Sequence, residues 1–137
     1  MRILSALLVA VLFACPARAD DAAAKSLAQQ AITSQLQAFE REDANAAYEQ
    51  ASPMIRGMFP GAATFMAMVR GAYAPVYRHK SFDFGEARQS PGKFAQAVRL
   101  VDDQGVPWDA LYTLEQQEDG SWKISGCVLL KATDLPA

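Results

Sequence analysis

Near Lys80 the apolar pattern of this chain changes period, and no other feature limits its possible architectures as much. Before that point Leu27, Ala31, Ile32, Leu36 and Phe39 recur at three- to five-residue spacing, which gathers them on one stripe of a helix. After it, four segments alternate apolar and polar side chains, the period of a strand with one buried face. The segments are divided by Ser90-Pro91-Gly92, Asp102-Asp103-Gln104-Gly105 and Glu118-Asp119-Gly120, whose residue types suit hairpin turns. Helices first and a meander afterwards predict an α+β domain, with N-terminal helices packed on one face of a curved four-stranded antiparallel sheet.

Three N-terminal helices are expected. The first carries the apolar stripe in Ala-rich sequence; the second is short, capped by Asp43, runs through Tyr48 and ends at Ser52-Pro53. The third starts near Pro60-Gly61, turns Phe65, Met68, Val69 and Ala72 inward, and stops before Ala74-Pro75. In the sheet, alternation predicts inner faces of Phe94, Gln96, Val98 and Leu100, then Trp108, Ala110, Tyr112 and Leu114, then Trp122, Ile124, Val128 and Leu130. The opposite face holds Lys93, Arg99, Asp109, Glu115, Lys123 and Ser125, and suits solvent. Val101, Leu111 and Leu129 interrupt it and suggest a second covering surface, such as another subunit.

Ahead of the helices, Ile3 to Ala14 is an apolar run broken only by Ser5, preceded by Arg2 and followed by Ala17-Arg18-Ala19. This reads as a secretory signal peptide over residues 1–19, cut after Ala19, and it directs the remainder to the periplasm or beyond. Twelve residues fall short of the ~20 that span a bilayer. Leu12-Phe13-Ala14-Cys15 also loosely matches a lipoprotein box, but bulky Phe13 stands where a small residue is usual, so a membrane anchor arises only if Cys15 is lipidated. Residues 20–137 suit a single domain. The net charge is −2 over the whole chain, and loss of Arg2 and Arg18 makes the remainder more acidic; with no basic run, nucleic acid is not an expected partner. Cleavage leaves Cys127 without a partner for an internal disulfide, and a partly buried apolar strand position is the simplest reading of it.

The order of elements resembles the nuclear-transport-factor-like, or SnoaL-like, superfamily of cone-shaped α+β domains. In that superfamily a sheet wraps a long first helix and leaves a pocket. Ala51-Ser52-Pro53, Tyr73-Ala74-Pro75-Val76-Tyr77-Arg78 and the stretch Asp119 to Cys127 further resemble a family of uncharacterised secreted proteins of Gram-negative bacteria. The resemblance implies a fold and a compartment. It implies no catalytic residues for this chain.

Side chains offer two constellations. Tyr73, Tyr77, Arg78 and His79 fall where the last helix meets the sheet, and tyrosine faces with a forked cation could hold a small acidic or aromatic ligand. Packing explains them as well, with hydroxyls tied to backbone and Arg78 paired to a carboxylate. Gln96 and Tyr112 share the inner sheet face, where a buried amide needs partners; it either lines a wet cavity or bonds to Tyr48, Tyr73 or Tyr112. The expected ligand-binding set is therefore Tyr73, Tyr77, Arg78, Gln96 and Tyr112. His79 is expected in solvent. One His and one Cys supply no structural metal site, and Met54, Met58, Met66 and Met68 suit apolar helix faces better than copper, so no metal or cofactor is expected. Ketosteroid isomerases of the superfamily use an inward carboxylate with a tyrosine, but alternation sends Asp109 and Glu115 outward. The expected function is non-catalytic binding of a small organic ligand between helices and sheet. A homodimer or accessory protein using the outer sheet face is the alternative, and a cofactor-free lyase or isomerase ranks last.

Overall fold

A stripe of small and branched side chains lays the first helix against the sheet. The computed structural model describes residues 17–132, with side chains from residue 21 onward. Helix α1 (Ala17–Glu40) buries Ala24, Ala28, Ala31, Ile32, Leu36 and Phe39, and the alanines let its backbone approach β1 (His79–Ser90), β2 (Lys93–Asp102) and, most extensively, the last strand of the sheet. Leu27, expected in this stripe, is exposed instead: it precedes Ala28 by one residue, and a rotation of about 100° carries it off the buried face. The leader expected over 1–19 lies outside the described residues apart from the backbone of 17–19, which forms the first turn of α1.

Helix α2 (Ala44–Glu49) starts as expected, with the Asp43 carboxylate accepting from the Ala46 N–H at 3.1 Å. Ser52-Pro53, expected only to end that helix, opens another, α3 (Pro53–Met58). Proline has no N–H to lose in a first turn, and the Ser52 hydroxyl accepts from the Ile55 N–H at 3.4 Å. Gly61, with φ of 90°, turns the chain into α4 (Ala62–Ala72), where Phe65, Met66 and Val69 are buried. Met66 takes the inner place expected of Ala72, which is exposed. A single turn, α5 (Ala74–Tyr77), makes five helical segments among the described residues where three were expected.

The sheet has the order β1-β2-β3-β4, all antiparallel, completed by β3 (Pro107–Gln116) and β4 (Trp122–Lys131). Its three turns fall at the breaks read from sequence. The α+β arrangement of helices on a four-stranded antiparallel sheet stands as expected. One parity does not. Leu114 pairs with Ile124 and Thr113 with Gly126, so Ser125 is an extra residue in β4. Beyond it the faces exchange: Cys127 and Leu129 turn to the core, while Val128 (55% exposed) and Leu130 (62%) turn outward beside Leu111. The inward placement expected of Val128 and Leu130, and the outward one of Leu129, are corrected by this single insertion.

The same bulge changes the edge of β4. Before it, Ile124 is bridged by the segment between α2 and α3: Ser52 N–H donates to the Ile124 carbonyl and Ile124 N–H to the Gln50 carbonyl, both at 2.8 Å. Beyond it, no strand among the described residues covers the edge, and the Tyr73 hydroxyl donates to the Cys127 carbonyl at 3.1 Å. The space between that edge and the helices is where the candidate site lies.

Candidate ligand cavity

Between α1, α3, α4 and the bulged end of the sheet lies a cavity of about 360 Å³. Phe39 comes from α1, Ile55 from α3, Phe65 and Val69 from α4, and the sheet supplies Tyr112, Ile124 and Cys127. Met58, Leu111 and Val128, all substantially exposed, stand at its rim. A mainly apolar space of this size with a few convergent polar groups has the character of a small-molecule site. No Asp, Glu, Lys, Arg or His is among its lining residues.

Five polar side chains line it, one of them Thr113, whose Oγ1 accepts from the Ser125 hydroxyl at 3.3 Å. Tyr73 is engaged through its donation to Cys127. Gln35 donates from Nε2 to the Ala47 carbonyl at 3.3 Å, which leaves Oε1 free of partners among the described residues. The Cys127 thiol is pushed up to about 12 by burial and stays protonated. Tyr112 is 1% exposed, and its hydroxyl has no hydrogen-bond partner among the described residues. Burial first, then the neighbouring Cys127 and Tyr73, pushes its phenol well above the ordinary range, so it too is neutral. Both raised groups carry the same linkage. The unfolded thiol ionises near 9.0 while the folded one holds its proton to about 12, so stability present below pH 9 should fall across that window. Urea unfolding midpoints at increasing pH measure this, and a flat profile between those limits would refute the burial of both groups.

The structure brings Tyr73 and Tyr112 together at this cavity, and places the other three expected site residues elsewhere. Tyr77 is buried with its hydroxyl donating to Glu42 Oε1 at 3.1 Å and its ring tilted against Phe39 at 5.8 Å. Arg78 is exposed at the end of α5. Gln96 is fully buried against the bulge that shifts register between Phe84 and Ala87 in β1. Its Nε2 lies 3.0 Å from the Gly85 carbonyl, 3.3 Å from that of Glu86 and 2.9 Å from that of Ala97, and its Oε1 accepts from Gln29 Nε2 at 3.1 Å. A bulge disrupts the ladder and frees carbonyls, and this amide meets them, so its partners are not the tyrosines expected.

His79, expected in solvent, is buried instead. Its Nδ1 lies 2.7 Å from the Val76 carbonyl and its Nε2 2.7 Å from Glu40 Oε1, which ties the end of α1 to the start of β1. Sequence reasoning missed Gln35 and the lining from α3, and it read Phe65, Met68 and Val69 of α4 as inward without assigning them to a site. A signal for Gln35 was present, since it follows Ile32 by three residues and Ala31 by four on the buried stripe of α1. For α3 there was none, because six residues carry too little periodicity.

Among the described residues no three His, Cys, Asp or Glu side chains are grouped to hold a metal ion, and no helix is long and apolar enough to cross a membrane. Helices on one face of a bulged antiparallel sheet, with an uncharged cavity between the layers, define an α+β domain. No curated protein matches the chain. It belongs to the family described as a domain of unknown function (DUF4864), matched over residues 21–137.

Proposed function

We propose that this chain is an exported, periplasmic or secreted domain of the nuclear-transport-factor-like kind that binds a small organic ligand, without catalysis, in the cavity between helices and sheet. The observation that carries the reading is the cavity itself, about 360 Å³, mainly apolar and lined by no charged side chain. A concave, mainly apolar space with a few polar side chains on its walls is the usual form of a small-molecule pocket. The lining supplies no carboxylate to act as a general base, which favours binding over isomerase chemistry. Native mass spectrometry of the protein taken from its own compartment tests this by reporting cleaved mass and retained ligand together. Any ligand-induced rise in melting temperature should be lost in Met68→Trp, whose bulk enters the cavity from a half-buried position. Retention of the rise in that variant would remove the cavity from the proposal.

A second reading, a homodimer through the outer sheet face, is favoured by Leu111, Val128 and Leu130, which stand exposed on adjacent strands of that face. Sedimentation equilibrium should then show a dimer that Val128→Glu with Leu130→Glu dissociates. A monomer at every concentration would reject it.

A further inference from the structure

We propose that the occupant of the cavity is a single-chain amphiphile, its flexible alkyl tail inside and its polar head in water beyond the rim; this rests on the ligand-binding reading above. The shape of the space points to a chain. Its lining falls on both faces of the sheet: Tyr112 and its partner Cys127 on the inner face, Leu111 and its partner Val128 on the outer one. The ladder closes the sheet between β3 and β4, so the two parts of the space join around the edge of β4, past the bulge, where no described strand covers it. Gly126 lines this turn, and any side chain there would crowd Thr113, because a Cβ would lie 2.8 Å from its Oγ1. A tail that bends at each methylene can follow such a path, whereas a rigid fused-ring molecule cannot.

The lining decides which end goes in. It holds no charged side chain, and its five polar ones give a head group little to bind. Tyr73 donates to the Cys127 carbonyl and Gln35 Nε2 to that of Ala47. The Tyr112 hydroxyl is sealed from the space, and the neutral Cys127 thiol is a weak donor. Gln35 Oε1 is open, but as an acceptor it repels an anionic head. Thr113, which accepts from Ser125, stands exposed at the outer end. A head group would lose its hydration inside without a counter-charge, so it stays in water. The rim, by contrast, is apolar. Of the six large apolar side chains exposed among the described residues, Met58, Leu111 and Val128 ring the mouth, and Met54 and Leu130 continue the patch along α3 and β4. A tail longer than the cavity would cover this surface. A volume of about 360 Å³, near the lower end for small-molecule pockets, suits one chain rather than the two of a bilayer phospholipid.

Four neutral probes test the proposal: maltose, hexyl maltoside, dodecyl maltoside below its micelle threshold, and toluene as a compact apolar control. Calorimetry gives affinities, and chemical-shift changes at Val69, Ile124 and Val128 give location. Maltose alone should not bind. Dodecyl maltoside should bind at least about a hundredfold more tightly than hexyl maltoside, since each methylene that leaves water is worth about fourfold. Met58→Ser with Val128→Ser, both exposed so that folding is not at stake, should keep the hexyl affinity within about twofold and weaken the dodecyl one about tenfold. Equal affinity for the two maltosides would overturn the proposal. So would an unchanged dodecyl affinity in the double variant; loss there of a dimer, or of co-sedimentation with phosphatidylcholine vesicles, would then assign the rim to a second copy or to a bilayer. Toluene perturbing Val69 and Ile124 while neither maltoside does would also overturn it, and would leave the cavity reading standing. Silence of toluene and both maltosides at Val69 and Ile124 would instead bring down the cavity reading itself.

Discussion

Gln96→Glu is expected to lower stability by about 4 kcal/mol at neutral pH, the size of an uncompensated buried charge, although it exchanges only one nitrogen for an oxygen. The fully buried amide directs its N–H groups at the carbonyls of Gly85, Glu86 and Ala97. A carboxylate there would set oxygen against oxygen in a site that water does not enter. The sign of the pH dependence follows. Burial and the facing carbonyls raise the introduced group's folded-state pKa above its unfolded value of ~4.3, so the penalty is small below that pH and grows as pH rises through the folded value. Gln96→Leu should lose about 2 kcal/mol at every pH, the cost of orphaned bulge carbonyls and of Gln29 alone. Urea unfolding of both variants at acidic and neutral pH separates the two effects. Equal loss for both at neutral pH would show that the amide does not face those carbonyls. Neither change should alter ligand affinity, because Gln96 is not among the residues lining the cavity.

Phe65→Ala should lower stability by about 3 kcal/mol, near the lower end for a buried aromatic, and should widen the cavity. Phe65 is buried on α4, its ring centroid lies 5.6 Å from that of Tyr48, and it lines the cavity. One side of the ring is therefore packed and another faces space, which is why the loss stops short of the largest values. The Tyr48 hydroxyl lies 3.0 Å from the Arg56 carbonyl and 2.9 Å from that of Phe59, and it accepts from Gly61, so α3 and the start of α4 should hold their places around the gap. Part of the lost stability should return on adding an apolar molecule too bulky for the unaltered cavity, read as a melting shift larger in the variant. A loss below about 1 kcal/mol would mean that Phe65 is not packed as described.

Much of the sheet was legible because turns and alternation are local. Ser90-Pro91-Gly92 and its two counterparts mark their hairpins whatever the rest of the chain does, and the strands end where those residues begin. Asp43 was legible as a cap for the same reason, since its carboxylate reaches a backbone N–H three residues away. Ser125 was not. A single inserted residue carries no distinctive side chain, yet it reverses the faces of Val128, Leu129 and Leu130, because alternation in a strand holds only as far as the register does.

The candidate site divides in the same way. Tyr112 was placed on the inner face by counting along one strand with no bulge, and that count held. Tyr77 and Arg78 were grouped with Tyr73 because they are neighbours in sequence, but the one-turn helix α5 sends successive residues in different directions. Tyr77 turns to Glu42, Arg78 to solvent, and Tyr73 to the edge of β4. Gln96 was recognised as an amide needing partners; which partners depended on a bulge in another strand.

Element order, strand limits, the helix cap and the inward tyrosine of β3 all follow from residues close together in the chain, whose periodicity and turn chemistry act over a few positions. The cavity does not follow from them. Its walls come from α1, α3, α4, β3 and β4, and its edge exists because Ser125 bulges out of register and leaves the Cys127 carbonyl to Tyr73. Contacts between residues 54 positions apart, such as Tyr73 with Cys127, are set by packing and register, which no short stretch of sequence contains.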